Sequence, residues 1–370
     1  MISTFVGWVF NPPHKEIILI QTITGNPNYI QQFKNKKATF MLAMSNTATA
    51  NILGITQAGI PGMIHLTPVL DAEFLATGEV RSLPNVAETP KGVPTPALIT
   101  RGVHLLTPYT HIELLDLGLE VQPKGDDFTL HHFDIRPSQS IVEGANIDAK
   151  ALFDKGVAFG KSYECKDAYL ILGESVPSGT TTATATALAL GYDAKALFSS
   201  SFKDVPNTIR EETIAKALSN VDGKTDLFDI LGSVADNMLI FNAGFILGVN
   251  SRFPVVLAGG TQMACVLLLA NSISHYMGAD VDSSNLALCT TKWVAQDENS
   301  DIKALLKMLN FSVNAYYADF DFSLSTHPAL KLYDEGEAKE GVGAGGALIY
   351  GYLNGLSKEE ITKQVEWFLS

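Results

Sequence analysis

Two short segments combine residue types able to hold an anion and to do acid–base work on what it carries. The first is Ala168-Tyr-Leu-Ile-Leu-Gly-Glu-Ser-Val-Pro-Ser-Gly-Thr-Thr-Thr-Ala183 and the second Pro254-Val-Val-Leu-Ala-Gly-Gly-Thr-Gln-Met-Ala264. Each reads as a buried strand, a glycine turn, a threonine and then a helix. Such a turn leaves backbone N–H groups and hydroxyl donors at a helix N-terminus, where the macrodipole favours negative charge. Ser178, Gly179, Thr180 and Thr181 of the first turn, and Gly259, Gly260 and Thr261 of the second, are therefore candidate phosphate or ribose ligands. Glu174 stands one residue past the first strand, where a carboxylate is seldom present for packing. Its alternative reading is a cap for the helix that follows.

Other phosphate and metal chemistries fit less well. A Walker loop needs a lysine directly after its last glycine, but Gly179 is followed by Thr180. Gly341-Val-Gly-Ala-Gly-Gly346 has the spacing of a dinucleotide fingerprint, yet Asp334-Glu-Gly-Glu-Ala-Lys-Glu340 before it cannot be the buried strand that such a site requires. The loop 170–182 also resembles the diphosphate-sugar loop of ordinary phosphoribosyltransferases, with one acidic residue where those enzymes use two. The eight histidines show no regular ligand spacing, and Cys165, Cys265 and Cys289 are too far apart for a zinc site or a disulfide framework. No metal and no cofactor is expected. His131 and His132 read as surface or core residues. Asp319 and Asp321 read as partners of Lys331, or as ribose contacts.

The elements that must position these residues are short β-branched or aromatic runs ended by turns: 38–43, 168–173, 254–258 and 311–315. Apolar or Ala-rich helical patterns follow the first three. This alternation predicts a three-layer α/β/α, Rossmann-like, mostly parallel sheet with a small accessory part. Asn207 is expected to cap a helix running to Ser219, and a mixed-charge helix is expected over 358–368. The prolines between 84 and 96 mark 71–100 as an irregular excursion, suited to an active-site cover or an oligomer arm. The main domain is read as 37–355, with 1–36 and 356–370 as accessory terminal segments.

Composition limits the partners. The 370 residues carry 26 Lys and Arg against 39 Asp and Glu, a formal charge of −13. Nucleic acid, which calls for a basic surface, is excluded as a partner. The longest apolar stretch, 253–270, contains Gly259-Gly-Thr-Gln262 and is too polar for a lipid-facing helix. A cytoplasmic protein without membrane contact is expected, with a symmetric homodimer as the default assembly.

Four islands, in order, resemble the nicotinate mononucleotide:dimethylbenzimidazole phosphoribosyltransferases, which build the lower nucleotide of cobalamin. Gly173-Glu-Ser-Val-Pro-Ser-Gly-Thr-Thr181 is similar to that family's Gly-Glu-x-Gly-Ile-Gly-Asn-Thr-Thr motif. Glu340-Gly-Val-Gly-Ala344 is similar to its Gly-Glu-Gly-x-Gly-Ala turn. Ile214-Ala-Lys216 falls on its Ala-Arg-Lys position, and 253–259 on its Ile-Pro-Val-Val-Leu-Asp-Gly segment, with Ala258 in place of the Asp. The likeness spans 147–353, and Ser45-Asn-Thr-Ala-Thr49 and Val93-Pro-Thr-Pro-Ala97 resemble an archaeal and cyanobacterial branch.

The resemblance implies displacement at C1 of a ribosyl phosphate, from nicotinate mononucleotide to a benzimidazole-type or purine base. Under it, Glu340 is the base that takes the acceptor N–H proton and Glu174 faces the ribose. Lys216 meets the phosphate, and Gly341, Gly343 and His327 border the base pocket. From the residues alone, Glu340 lies in a charge cluster that reads more readily as a solvated face than as a base, and Lys216 reads as an exposed helix residue. A catalytically silent nucleotide-binding relative, or a diphosphate-sugar-dependent transferase, remains the alternative.

Overall fold

The computed structural model describes residues 19–83 and 91–370. Eight strands form one sheet: β1 (Ile20–Thr24), β2 (Ala38–Met44), β3 (His111–Asp116), β4 (Thr129–His132), β5 (Tyr169–Ser175), β6 (Val255–Ala258), β7 (Leu286–Thr291) and β8 (Asn314–Ala318). Their spatial order is β1-β8-β7-β6-β5-β2-β3-β4, and every pairing is parallel except the antiparallel edge pair of β1 and β8. The fold is therefore α/β with a mostly parallel sheet, as the strand–helix alternation predicts. From β2 the chain moves outward through β3 and β4. It then returns to the other side of β2 at β5 and proceeds the opposite way. Such a reversal opens a crevice at the carboxyl ends of the two strands, where α/β sheets bind ligands.

Thirteen helices accompany the described strands: α1 (Thr67–Thr77), α2 (Ala97–Leu106), α3 (Ala149–Ser162), α4 (Gly179–Ala189), α5 (Asn207–Ser219), α6 (Leu227–Val234), α7 (Asn237–Val249), α8 (Thr261–Tyr276), α9 (Lys292–Ala295), α10 (Ile302–Leu306), α11 (Pro328–Asp334), α12 (Ala344–Leu353) and α13 (Lys358–Trp367). All residues of β2, β5, β6 and β7 are buried, so both sheet faces are covered. Met41, Leu170, Leu172 and Leu257 meet α3, α4, α7 and α8 on one face. Phe40, Leu42, Ile171 and Val256 meet α1, α2, α12 and α13 on the other. Period-two alternation along each strand creates these two cores. Helices α3 and α7 touch backbone to backbone: a Cβ on Gly156 or Gly160 would strike a carbonyl of Phe241 or Phe245.

Several elements differ from the sequence-based expectation. The last strand begins at Asn314 rather than Phe311, because Phe311 packs as a loop residue against the first core. The excursion is shorter than 71–100: residues 71–77 complete α1, which Gly78 ends at φ 82°, and 97–100 open α2 after Pro96. Residues 84–90 lie outside the described residues, as do 1–18. Pro206 occupies the N-cap of α5 and Asn207 is its first residue. Of the segments assigned to termini, the described parts contribute to the sheet and the second core. β1 is an edge strand of the sheet, and α13 buries Ile361 and Val365 in the second core.

Candidate functional site

The glycine turns after β5 and β6 and the loop 338–342 line a single cleft. The space between its walls, open mouth included, is about 990 Å³. Its lining includes Ser178, Gly179 and Thr180, Ser199–Ser201, and Gly260 and Thr261. Ile55–Gly59, Asp71 and Val93–Pro96 complete it, with Gln57 bonded to the Ser201 carbonyl and Asp71 to Ser175. Ser178 begins α4 in the left-handed region at φ 64°, a backbone state that a serine adopts at some cost. Thr182, one turn into α4, donates to Gly179 O and to Asp236, the N-cap of α7. Burial raises Asp236 to about 6.

Glu174 is the penultimate residue of β5, inside the strand rather than one residue past it, with 3 % of its surface exposed. Burial pushes it up to about 8; the Gln262 amide opposes the shift, while Glu340, Asp236 and Asp71 add to it. Gln262 lies flush against the first turn, so that a Cβ on Gly179 would overlap its Oε1. A side chain at Gly179 would therefore have to displace the flexible end of Gln262.

Glu340 sits in a strained loop. Ala338 (φ 45°), Gly341 (150°), Val342 (51°) and Gly343 (67°) all lie at positive φ, where a β-branched residue such as valine is rare. The loop is pinned at both ends: Ala338 N–H donates to Ser201 O at 2.9 Å, and Val342 N–H donates to Glu174 O at 2.9 Å. Between the pins, Glu340 Oε2 accepts from Thr291 N–H at 2.9 Å and the Thr290 hydroxyl at 3.1 Å. Its Oε1 accepts from Gly345 N–H at 3.0 Å and, more weakly, from Gly341 N–H at 3.4 Å. Burial raises Glu340 to about 7, against these four donors, which favour its ionised form.

No family model matches the chain. Over 336 residues it is 33% identical to the UPF0284 protein of Saccharolobus solfataricus, covering 90% of this chain and 92% of that one. The UPF0284 protein of Methanothermobacter thermautotrophicus is 33% identical over 354 residues, 93% of this chain and 96% of that one. The chain belongs to the UPF0284 family. Among solved structures, the nicotinate-nucleotide-dimethylbenzimidazole phosphoribosyltransferase of Thermus thermophilus superposes with a TM-score of 0.58 over 94% of this chain and 92% of that one, at 16% identity. A structure of CobT from the same organism gives 0.55 over 93% and 92%, also at 16% identity. This UPF0284 chain therefore has the fold of those proteins, extending well beyond the 147–353 span of the sequence likeness.

Of the residues singled out from sequence, the cleft brings together Glu174, Ser178, Gly179, Thr180, Gly260, Thr261, Glu340 and Gly341. Thr181 is buried within α4, off the wall. Gly259 packs beneath the second turn, where a Cβ would lie 2.7 Å from Met263, and Gly343 packs on Phe40 and Ala258. His327 lies away from the cleft, its N–H donating to Ser325 Oγ at 3.0 Å. Lys216 is exposed on α5, whose buried face is Thr213, Ile214 and Ala217. The α5 cation that reaches α4 is Arg210, which donates to Thr184 Oγ1 at 2.8 Å. Asp319 and Asp321 pair with Lys292 at 2.9 and 3.2 Å, because that lysine directly follows the neighbouring strand β7. Lys331 instead donates to the Phe322 and Ser323 carbonyls.

Three functional groups of the cleft escaped the sequence reading. Lys339 is a buried cation 3.2 Å from Asp297, and it also donates to the carbonyls of Ser200 and Phe202 at 3.2 and 3.1 Å. It is spent on tying the 199–202 loop to the Glu340 loop. Gln262 holds Glu174. Asp71, from α1, accepts from the Thr95 and Ser175 hydroxyls at 2.6 Å each, and burial raises it to about 6. The signal for Asp71 was a pair of acids, Asp71 and Glu73, inside an otherwise largely apolar helix, since buried acids are rarely there for packing. Among the described residues, no group of three His, Cys, Asp or Glu is arranged to hold a metal ion, and no helix is long and apolar enough to cross a membrane.

Proposed function

We propose that this protein transfers phosphoribose from nicotinate mononucleotide to a benzimidazole-type or purine base, giving an α-ribazole-type phosphate for a cobamide lower ligand. The observation that carries this reading is the meeting of Glu174, Glu340 and the α4 and α8 N-terminal turns in one cleft at the sheet's reversal point. The phosphoribosyltransferase activity of the structural neighbour supports it by analogy of fold.

In this reading the α4 turn, Ser178 to Thr180, and the α8 turn, Gly260 and Thr261, hold the phosphate through N–H groups and hydroxyls. The bond from ribose C1 to the nicotinate ring nitrogen breaks, and nicotinate leaves with the electron pair as a neutral-nitrogen ring, needing no proton. One azole nitrogen of the acceptor forms the new bond to C1. The proton on its other nitrogen passes to Glu340, whose value near 7 suits a base at neutral pH. The Thr290 hydroxyl can rotate off Oε2 and leave a lone pair for that N–H. Glu174 faces the cationic ribose of the transition state, where a carboxylate stabilises charge that the ground state lacks. The substrates are thus small molecules, and we place the reaction in the cytoplasm and in a homodimer.

The test is incubation of pure protein with nicotinate mononucleotide and a panel of bases, measuring free nicotinate and ribosylated base. Release that depends on the added base supports the reading. Release without an acceptor makes the protein a hydrolase, and no release with any base overturns catalysis of this kind.

A further inference from the structure

The cleft holds more acid than the proposed reaction uses. Glu340 and Glu174 have roles in it, but Asp71 has none, although it lines the same wall with 4 % of its surface exposed. No basic side chain pairs with it among the described residues, and the one lysine on the wall, Lys339, is committed to Asp297. A buried carboxylate without a cation is costly. Thr95 and Ser175 each give it one hydroxyl bond, one to each oxygen. A carboxylate accepts about four bonds, so roughly half its capacity is unused.

The cleft is also short of partners elsewhere. Ser178 Oγ and Gln262 Oε1, in residues 6 % and 8 % exposed, are buried polar atoms without a hydrogen-bond partner, and both residues line the wall. Unpaired buried polar groups of this kind call for a ligand that completes them. Ser178 stands at the α4 end. Asp71 is bonded to Thr95 and to Ser175, three residues before Ser178, and Ile55, Val93, Pro94, Pro96 and Val342 line the same cleft. These lining residues are apolar and include two prolines, a wall suited to a flat ring.

Resting on the phosphoribosyl-transfer reading, we propose that Asp71 is the specificity residue for the acceptor, selecting a base that carries an exocyclic amino group, of the aminopurine class. Both acceptor classes offer Glu340 a ring N–H. Only the aminopurine also offers N–H donors from its far edge, which Asp71 accepts. A dimethylbenzimidazole presents methyl and C–H groups there and leaves the remaining acceptor capacity of Asp71 unmet. The discrimination follows the rule that a site built to take a hydrogen bond rejects the analogue that lacks the donor.

The experiment measures equilibrium binding of adenine, unsubstituted purine, N6,N6-dimethyladenine and 5,6-dimethylbenzimidazole to the full chain, with and without nicotinate mononucleotide. Adenine should bind roughly tenfold or more tightly than the three bases lacking amino N–H donors, in keeping with a bond to a charged acceptor. Asp71→Asn should bring the four within about threefold of one another, with a retained cooperative melt as the folding control. The wild-type series stands even where that variant does not fold. Equal affinities in the wild type, or a preference for dimethylbenzimidazole, overturn the assignment. Turnover with an adenine preference that Asp71→Asn leaves intact would also overturn it, while the transfer reading survives. Adenine-selective binding without any transfer would do the reverse.

Discussion

Glu174 and Glu340 face the same cleft from two differently built regions. Glu174 is the penultimate residue of a buried parallel strand, where the ladder consumes the backbone groups, and the Gln262 amide is the donor that holds its side chain. Glu340 sits in a loop with four residues at positive φ, a geometry that turns backbone N–H groups inward, and its two oxygens accept four bonds. Burial raises both, but the better-supplied carboxylate settles near 7 and the other near 8. Burial therefore favours the protonated form more strongly at Glu174 than at Glu340, and in the proposed reaction it is the positive charge on the ribose that draws Glu174 into its ionised form. The lesson is that a strand end gives a carboxylate burial, and a strained loop gives it charge.

The largest effect is expected at Glu340, where this contrast is easiest to break. Glu340→Gln should cut turnover by about 10²–10⁴-fold while nicotinate mononucleotide still binds, since a base typically contributes that much. The amide also turns an NH₂ toward donors that an oxygen now accepts from, so the melting temperature should fall as well. Single-turnover nicotinate release and a binding titration on the same sample separate the two effects. Turnover within twofold of wild type would remove Glu340 from the role. For the wild type, kcat should rise with pH through about 7, because the base works ionised.

Glu174 should show the opposite pattern. Its folded-state value lies above that of an unfolded glutamate, so the native state binds the extra proton. Its contribution to stability is therefore full below about 4.5 and is lost as pH rises toward 8. Glu174→Gln, close in shape to the protonated acid, should flatten that slope and be the more stable protein at pH 8, by on the order of 3 kcal/mol. Denaturant melts at pH 5 and pH 8 measure it. A variant less stable than wild type at pH 8 would mean that Glu174 is held ionised.

Gly179→Ala sharpens the comparison through Gln262. The new Cβ would overlap Gln262 Oε1, so the amide must leave and Glu174 loses its donor, while Glu340 keeps all four. The expected result is about a tenfold rise in KM for nicotinate mononucleotide, worth about 1.4 kcal/mol, with kcat less affected. Alanine is otherwise welcome in a helix, so a stability loss without a KM change would show that Gln262 simply moves aside.

The legible parts of this molecule were those with local signals. An apolar run, a glycine turn and a threonine announce a strand end and a helix start within about ten residues, so β5, β6 and their turns could be read directly. So could Glu174, whose place is set by the strand before it. Asp71 could not: only tertiary packing brings α1 against Thr95 and Ser175. Lys339 looked like one more member of a solvated charge cluster, because its partner Asp297 is distant in sequence. Gly259 and Gly343 carried the right residue type for a ligand turn, but the structure uses them to let helices and strands approach.

Lys216 shows the converse, a residue whose match in type and order did not carry its position. Helix α5 turns Thr213, Ile214 and Ala217 inward and leaves Lys216 in solvent, whereas Arg210, nearer the start of the helix, reaches α4. Burial lowers Arg210 only to about 10, so it remains charged at neutral pH. Lys216→Ala should therefore move the KM for nicotinate mononucleotide by less than about twofold and stability by no more than about 0.5 kcal/mol, as for surface changes generally. A KM raised tenfold would place Lys216 at the phosphate after all. It would require α5 to rotate on ligand binding, carrying Arg210 away from Thr184.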